Sequence, residues 1–67
     1  MRIFINDEPR ELSKAVSLES LLSVIGIGDL KGWALALNDT IIPKSKLQET
    51  ILGEGDRILL IRATQGG

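Results

Sequence analysis

The chain has 67 residues, 43% of them hydrophobic, 25% charged and 3% aromatic, with eight Lys and Arg against nine Asp and Glu and a formal net charge of -1. Neither Cys nor His occurs, so disulfide scaffolds, structural zinc sites, thiol nucleophiles and serine triads that use His as base are excluded. What chemistry remains must come from carboxylates, amines, hydroxyls, the backbone or the chain ends, a poor kit for an enzyme, and the composition fits one soluble globular domain.

Residues 2–6 are rich in strand formers, residues 6–9 supply turn chemistry, and a second short run follows around 10–12, which predicts an N-terminal hairpin. Leu18, Leu21, Leu22 and Ile25 then recur at i, i+3, i+4 and i+7, placing four aliphatic side chains on one helical face. Ser17 is the expected cap, Glu19 sits where the helix dipole favours an anion, Val16 is placed to staple onto Leu21, and Gly26 is a natural stop. Residues 26–32 hold three of the seven glycines and read as a flexible connection. Residues 33–37 alternate large and small side chains, Asn38 and Asp39 offer a tight turn, and residues 40–42 form a further strand that Pro43 ends. Leu47 and Ile51 are the expected anchors of an irregular or short helical stretch. Residues 53–56 make a turn, and residues 57–62 read as a strand apolar on both faces, which belongs in the middle of a sheet.

With one helix available, one sheet face is covered and the other is left for solvent or a partner. Alternation assigns Ile3, Ile5, Leu35, Leu37, Ile58 and Leu60 to the face packed on Leu18, Leu21, Leu22 and Ile25. The opposite face then carries Phe4, Ala34, Ala36, Leu59 and Ile61. Exposed apolar patches tend to mark interaction sites, so Phe4, Ala36, Leu59 and Ile61 are the expected partner-binding face. The competing reading is that a loop covers part of it.

Residues 1–63 form the expected domain and residues 64–67 a flexible tail. The last residues, Ala63, Thr64, Gln65, Gly66 and Gly67, offer little to a core. Two glycines without Cβ can thread a narrow channel and present the last carbonyl without hindrance. That suits chemistry at the α-carboxylate, which is ionised near neutral pH and a poor electrophile, so a partner must activate it. Conversion to an acyl-adenylate by ATP would supply AMP as leaving group for attack by sulfur or an amine. A frayed tail that ends in glycines by chance is the alternative.

Taken together, residues 1–6, the run 34–38, residues 41–44, residues 55–60 and the terminal Gly66 and Gly67 resemble the ubiquitin-like β-grasp proteins, and within them the ThiS-type sulfur carriers of thiamine biosynthesis. The specific part is the combination of Asn38, the Ile42, Pro43, Lys44 step, Gly55 with Asp56, and the Gly-Gly end. The resemblance implies an α+β fold: a mixed four- to five-stranded sheet with one main helix on one face. It also implies a carrier rather than a catalyst, with no bound cofactor. A ThiF-type adenylyltransferase would use ATP to activate Gly67, a persulfide derived from a cysteine desulfurase would supply sulfur, and the resulting thiocarboxylate would serve thiazole synthase. Gly66 and Gln65 complete the tail in this reading. The family often has Arg where Lys44 stands and a bulky aromatic near Leu47. The related small subunit of molybdopterin synthase, MoaD, shares the fold and the glycine end. This chain lacks the aromatic and proline character usual before those glycines and has the Pro43, Lys44 step instead, so that family ranks second.

Other signals are weaker. The charges are scattered, so no basic stripe offers itself to nucleic acid. The longest apolar runs, 33–37 and 58–61, fall far short of a membrane span, and residues 1–6 read as a strand rather than a secretion signal, so a cytoplasmic monomer is expected. Gly26 and Gly28 with Gly32 follow a helix instead of joining strand to helix and do not have phosphate-loop spacing. Lys44 and Lys46 read as solvated, Asp7, Glu8, Glu54 and Asp56 as turn residues, and Trp33 as partly core. A protein-conjugating modifier would use the same tail to form an isopeptide; a plain interaction module would use only the apolar face.

Overall fold

The computed structural model describes residues 1–27, 30 and 32–62. The first strand, β1 (Arg2–Ile5), pairs antiparallel with β2 (Glu8–Glu11) through a two-residue turn. Asn6 and Asp7 both have positive φ, 50 and 69, as a primed hairpin turn requires, and Asn and Asp tolerate that region better than other side chains. The turn is therefore tighter than residues 6–9, and the strand predicted around 10–12 begins at Glu8. Pro9, expected in the turn, lies inside β2 opposite Phe4. The Phe4 N–H donates to the Asp56 carbonyl on the other side of β1, at 2.9 Å, so Pro9 occupies a position where the edge strand needs no N–H.

Helix α1 (Leu18–Val24) buries Leu18, Leu21 and Leu22 completely or nearly so, with Ile25 half-buried at its C-cap. Its orphan N–H groups are satisfied from two directions. Ser20 donates to Ser17 Oγ at 3.1 Å, while Leu18 and Glu19 donate to the carbonyls of Thr50 and Leu47 at 2.8 and 3.2 Å. At the other end the Ile27 N–H reaches the Leu22 carbonyl and the Gly26 N–H the Ser23 carbonyl, with Gly26 at φ 87, the paired bonds of a Schellman stop.

β3 (Trp33–Leu37) and β4 (Thr40–Ile41) form a second hairpin around Asn38 and Asp39, again with both φ positive, 50 and 72. A short 3-10 helix (Lys44–Lys46) follows, then β5 (Arg57–Arg62). The five strands lie in the order β2-β1-β5-β3-β4. β5 runs parallel to β1 and antiparallel to β3, so the last strand is the central one. This is the mixed-sheet, single-helix β-grasp arrangement, with five strands.

The core joins Ile3, Leu35, Ile58 and Leu60 of the sheet to Leu18, Leu21 and Leu22, and Ile5, Ile25 and Leu37 pack partly buried against it. Two expectations are corrected. Leu47 is buried, but Ile51 is 60% exposed and Leu52, at 2%, is the second anchor. Ile51 bridges backbone to Ser17, and Leu52 donates to the Val16 carbonyl at 2.9 Å; this extended stretch turns neighbouring side chains to opposite sides. Leu30, within the stretch read only as a connection, is also core, at φ 67. Gly28, Asp29 and Lys31 of that stretch lie outside the described residues. No helix among the described residues is long and apolar enough to cross a membrane.

On the outer edge Arg2 Nε donates to Glu11 Oε2 at 2.7 Å, and this hydrogen bond, helped by the guanidinium charge, holds the Glu11 carboxyl below its ordinary value. A carboxyl depressed by folding adds stability that is present above the ordinary carboxylate range and lost as pH falls through the lowered value. Following Glu11 by NMR should therefore show it titrating below the ordinary range, and higher in Arg2→Ala. Leu22→Ala should cost about 2–5 kcal/mol in denaturant unfolding, and Ile51→Ala within about 0.5 kcal/mol of nothing.

Candidate functional site

Side chains at Arg57, Leu59 and Ile61 alternate away from the buried Ile58 and Leu60 and face the side without the helix. Cross-strand pairing sets Ala36 opposite Leu59 and Ala34 opposite Ile61, and on the other flank Ala36 opposite Ile41. Ala36 between Leu59 and Ile41, with Ala34 beside Ile61, makes a trough along β3. Leu59 and Ile61 are each 48% exposed and Ile41 is 63% exposed.

Of the four residues expected to form a partner-binding face, Leu59 and Ile61 therefore present substantial apolar surface and Phe4 is half-buried. Ala36 is only 7% exposed and supplies the floor rather than contact area. Ile41 belongs to the same surface and escaped the alternation reading. Its position follows only from counting outward from a two-residue turn, and the sequence signal was the Asn38, Asp39 pair.

Toward the turn end of β5, Phe4, Ala36 and Leu59 line a shallow depression of about 250 Å³, rimmed by Asp7, Asp39 and Arg57. Arg57 Nη2 lies 3.8 Å from Asp7 Oδ1, and both side chains are well exposed. Asn38 Oδ1 accepts the Arg57 N–H at 3.0 Å, its Nδ2 donates to Asp56 Oδ1 at 3.1 Å, and Asp56 Oδ2 accepts the Gly53 N–H at 2.7 Å. Asp56 thus serves turn chemistry, as its position suggested.

At the opposite end of β5 the last described residue, Arg62, stands opposite Trp33. The Trp33 ring packs against the core, in keeping with the expected partly core role. Gly67, the residue expected to be modified, and Gln65 and Gly66 of the expected tail lie outside the described residues. Among the described residues no polar or charged side chain is buried. The described part of the site is an apolar face along the central strand β5.

Among the described residues a five-stranded mixed sheet with one α-helix on one face defines a ubiquitin-like fold. The sequence profile of the ThiS family matches residues 3–67, and the chain belongs to that family. The sulfur carrier protein ThiS of Escherichia coli K12 is 31% identical over 67 residues, the whole of both chains. A thiazole synthase of Paramagnetospirillum magneticum is 31% identical over 67 residues, all of this chain and 20% of that protein, so the chain spans a fifth of that relative. The crystal structure of the thiamine biosynthesis protein ThiS from Geobacter metallireducens matches with a TM-score of 0.87 over 100% of both chains at 19% identity. A solution structure of a thiamine biosynthesis protein from the same organism gives 0.79 over all of this chain and 88% of that one.

The face assignment has a direct check. Leu59→Ser and Ile61→Ser should each shift unfolding free energy by no more than about 0.5 kcal/mol, whereas Leu60→Ala should cost about 2–5 kcal/mol, as measured by urea titration.

Proposed function

We propose that this chain is a sulfur carrier of thiamine biosynthesis whose Gly67 carboxylate is the group that is loaded. The observation that carries the reading is the family match running through residue 67, on a chain whose central strand is followed within five residues by Gly66 and Gly67. The E. coli carrier, matched end to end, supports it.

In this reading a ThiF-type adenylyltransferase joins the Gly67 carboxylate to AMP from ATP, releasing pyrophosphate. The carboxylate resists nucleophiles because attack would add charge to an anion; the mixed anhydride with AMP is neutral at carbon and carries a good leaving group. A persulfide sulfur derived from a cysteine desulfurase displaces AMP. Reduction of the sulfur–sulfur bond by a thiol then leaves the thiocarboxylate, the sulfur source for thiazole synthase. The chain supplies no catalytic group to any step, and ATP is bound by the partner. Gly66 keeps the approach to Gly67 free of side chains. The P. magneticum relative, a protein named thiazole synthase that contains a region like this chain, supports thiazole synthase as the acceptor.

Docking is assigned to Leu59, Ile61 and Ile41 with Phe4 and Ala36 between and beside them. Aliphatic side chains about half exposed bury further area at little conformational cost, whereas the charged groups Asp7, Asp39 and Arg57 at one end set orientation.

Intact mass spectrometry tests the proposal after incubation with ATP, a ThiF-type adenylyltransferase and a persulfide donor. The expected product has one oxygen replaced by sulfur, and a variant lacking Gly67 should gain nothing. Leu59→Asp should leave unfolding nearly unchanged and lower kcat/KM for adenylation roughly tenfold or more, as expected for a buried interface anchor. An unmodified wild type beside an enzyme proven active on its own carrier sinks the reading.

A further inference from the structure

The rung at the end of β5 carries a contact that the carrier reading leaves without a role. Arg62 stands opposite Trp33, and its guanidinium carbon lies 5.3 Å from the centroid of the Trp33 ring. Trp33 packs partly buried against the core while Arg62 is exposed, so the ring is a fixed platform and the guanidinium the part that settles on it. A cation over an indole face is attracted by the ring quadrupole, and the planar guanidinium stacks there better than an ammonium.

The position of this pair in the ladder gives the contact its weight. The Asn38 N–H donates to the Arg57 carbonyl at 2.8 Å, which fixes the alternation of hydrogen-bonded rungs between β3 and β5. Counting along the register, Ala36 with Leu59 and Ala34 with Ile61 are hydrogen-bonded pairs, and Trp33 with Arg62 falls at a non-hydrogen-bonded position. Trp33 and Arg62 thus exchange no backbone hydrogen bond with each other, and the stack adds a side-chain contact at this position. Beyond it five residues lead to Gly67, a covalent reach of at most about 17 Å. Any wandering of the origin at Arg62 is carried to the far end of that reach.

We infer that the stack of Arg62 on Trp33 is a positioning device that pins the end of β5, so that residues 63–67 are offered to the adenylating partner from a fixed origin. The inference rests on the carrier reading of Gly67. Arg62 touches no reacting atom; it spares the partner the ordering of the strand end when the tail is engaged.

A double-mutant cycle of Arg62→Gln and Trp33→Leu tests it, with Arg62→Lys as the variant that keeps the charge and loses the planar stack. An exposed cation–π contact corresponds to about a two- to fivefold change in equilibrium. Each single substitution should lower kcat/KM for adenylation by about that factor, the double should be no worse than either single, and Arg62→Lys, which keeps the charge but not the planar stack, should fall between Arg62→Gln and wild type. Versions of the same variants lacking Gly66 and Gly67 should bind the enzyme with unchanged Kd. Amide exchange at Ala34 and Ile61, the next rung in, should quicken by the same factor in Arg62→Gln.

Unchanged kcat/KM, single effects that multiply, or weaker binding of the truncated Arg62→Gln form would each overturn the inference, the last by making Arg62 a docking contact. A wild type that is never adenylated defeats the carrier reading instead. In that case exchange still decides whether the stack pins the strand, and an unaltered rate in Arg62→Gln overturns the pinning.

Discussion

Everything in this fold is reached through β5. Strands β1 and β2 form one hairpin, β3 and β4 another, and β5 lies between them, so the two hairpins become one sheet only when residues 57–62 pair with both. Two asparagines secure that insertion. The Leu60 N–H faces the point where β1 has already turned away, and Asn6 Oδ1 accepts it at 2.8 Å. Asn38 does the same for the Arg57 N–H on the other side. Each asparagine therefore has two duties, a left-handed backbone that makes its hairpin turn and a side chain that extends the ladder onto β5. A residue such as Ala meets neither need, and Gly meets only the first.

The same insertion divides the work of the strand between its faces. Ile58 and Leu60 point into the core and hold the sheet to the helix, leaving Leu59 and Ile61 at half exposure on the other side with nothing of the described chain above them. The surface that β5 exposes is thus separate from the side chains that stabilise it. The small residues at Ala34 and Ala36 matter for this separation, because larger ones would fill the trough and raise β3 to the level of its neighbours.

Much of this was legible in the sequence, and the exceptions have physical reasons. The helix declared itself because Leu18, Leu21, Leu22 and Ile25 follow its period and Ser17 and Gly26 bound it. β5 declared itself by being apolar on both faces. Pro9 misled because proline usually belongs to turns, and only the direction of the Phe4 N–H reveals that an edge strand tolerates it. Ile51 and Leu52 are not distinguished by the sequence because an irregular segment has no period to fix which of two adjacent aliphatics points inward. Leu30 was hidden among glycines, where flexibility is the stronger local signal. As for the site, the open face followed from alternation, yet Ile41 required the turn length, and the Arg62 contact with Trp33 required the register, which no local pattern encodes.

The parallel pairing of β1 with β5 also governs how the molecule comes into being. Phe4 meets Arg57 and Ile5 meets Ile58, so the central ladder closes a loop of more than fifty residues. Local hairpins and the helix form on their own timescale, whereas the sheet waits on that closure, which places the domain among the slower folders for its size. Until then Ile3 and Leu35 have no common strand between them. The glycine proposed for sulfur loading thus follows, five residues on, the strand whose pairing joins the two hairpins into one sheet.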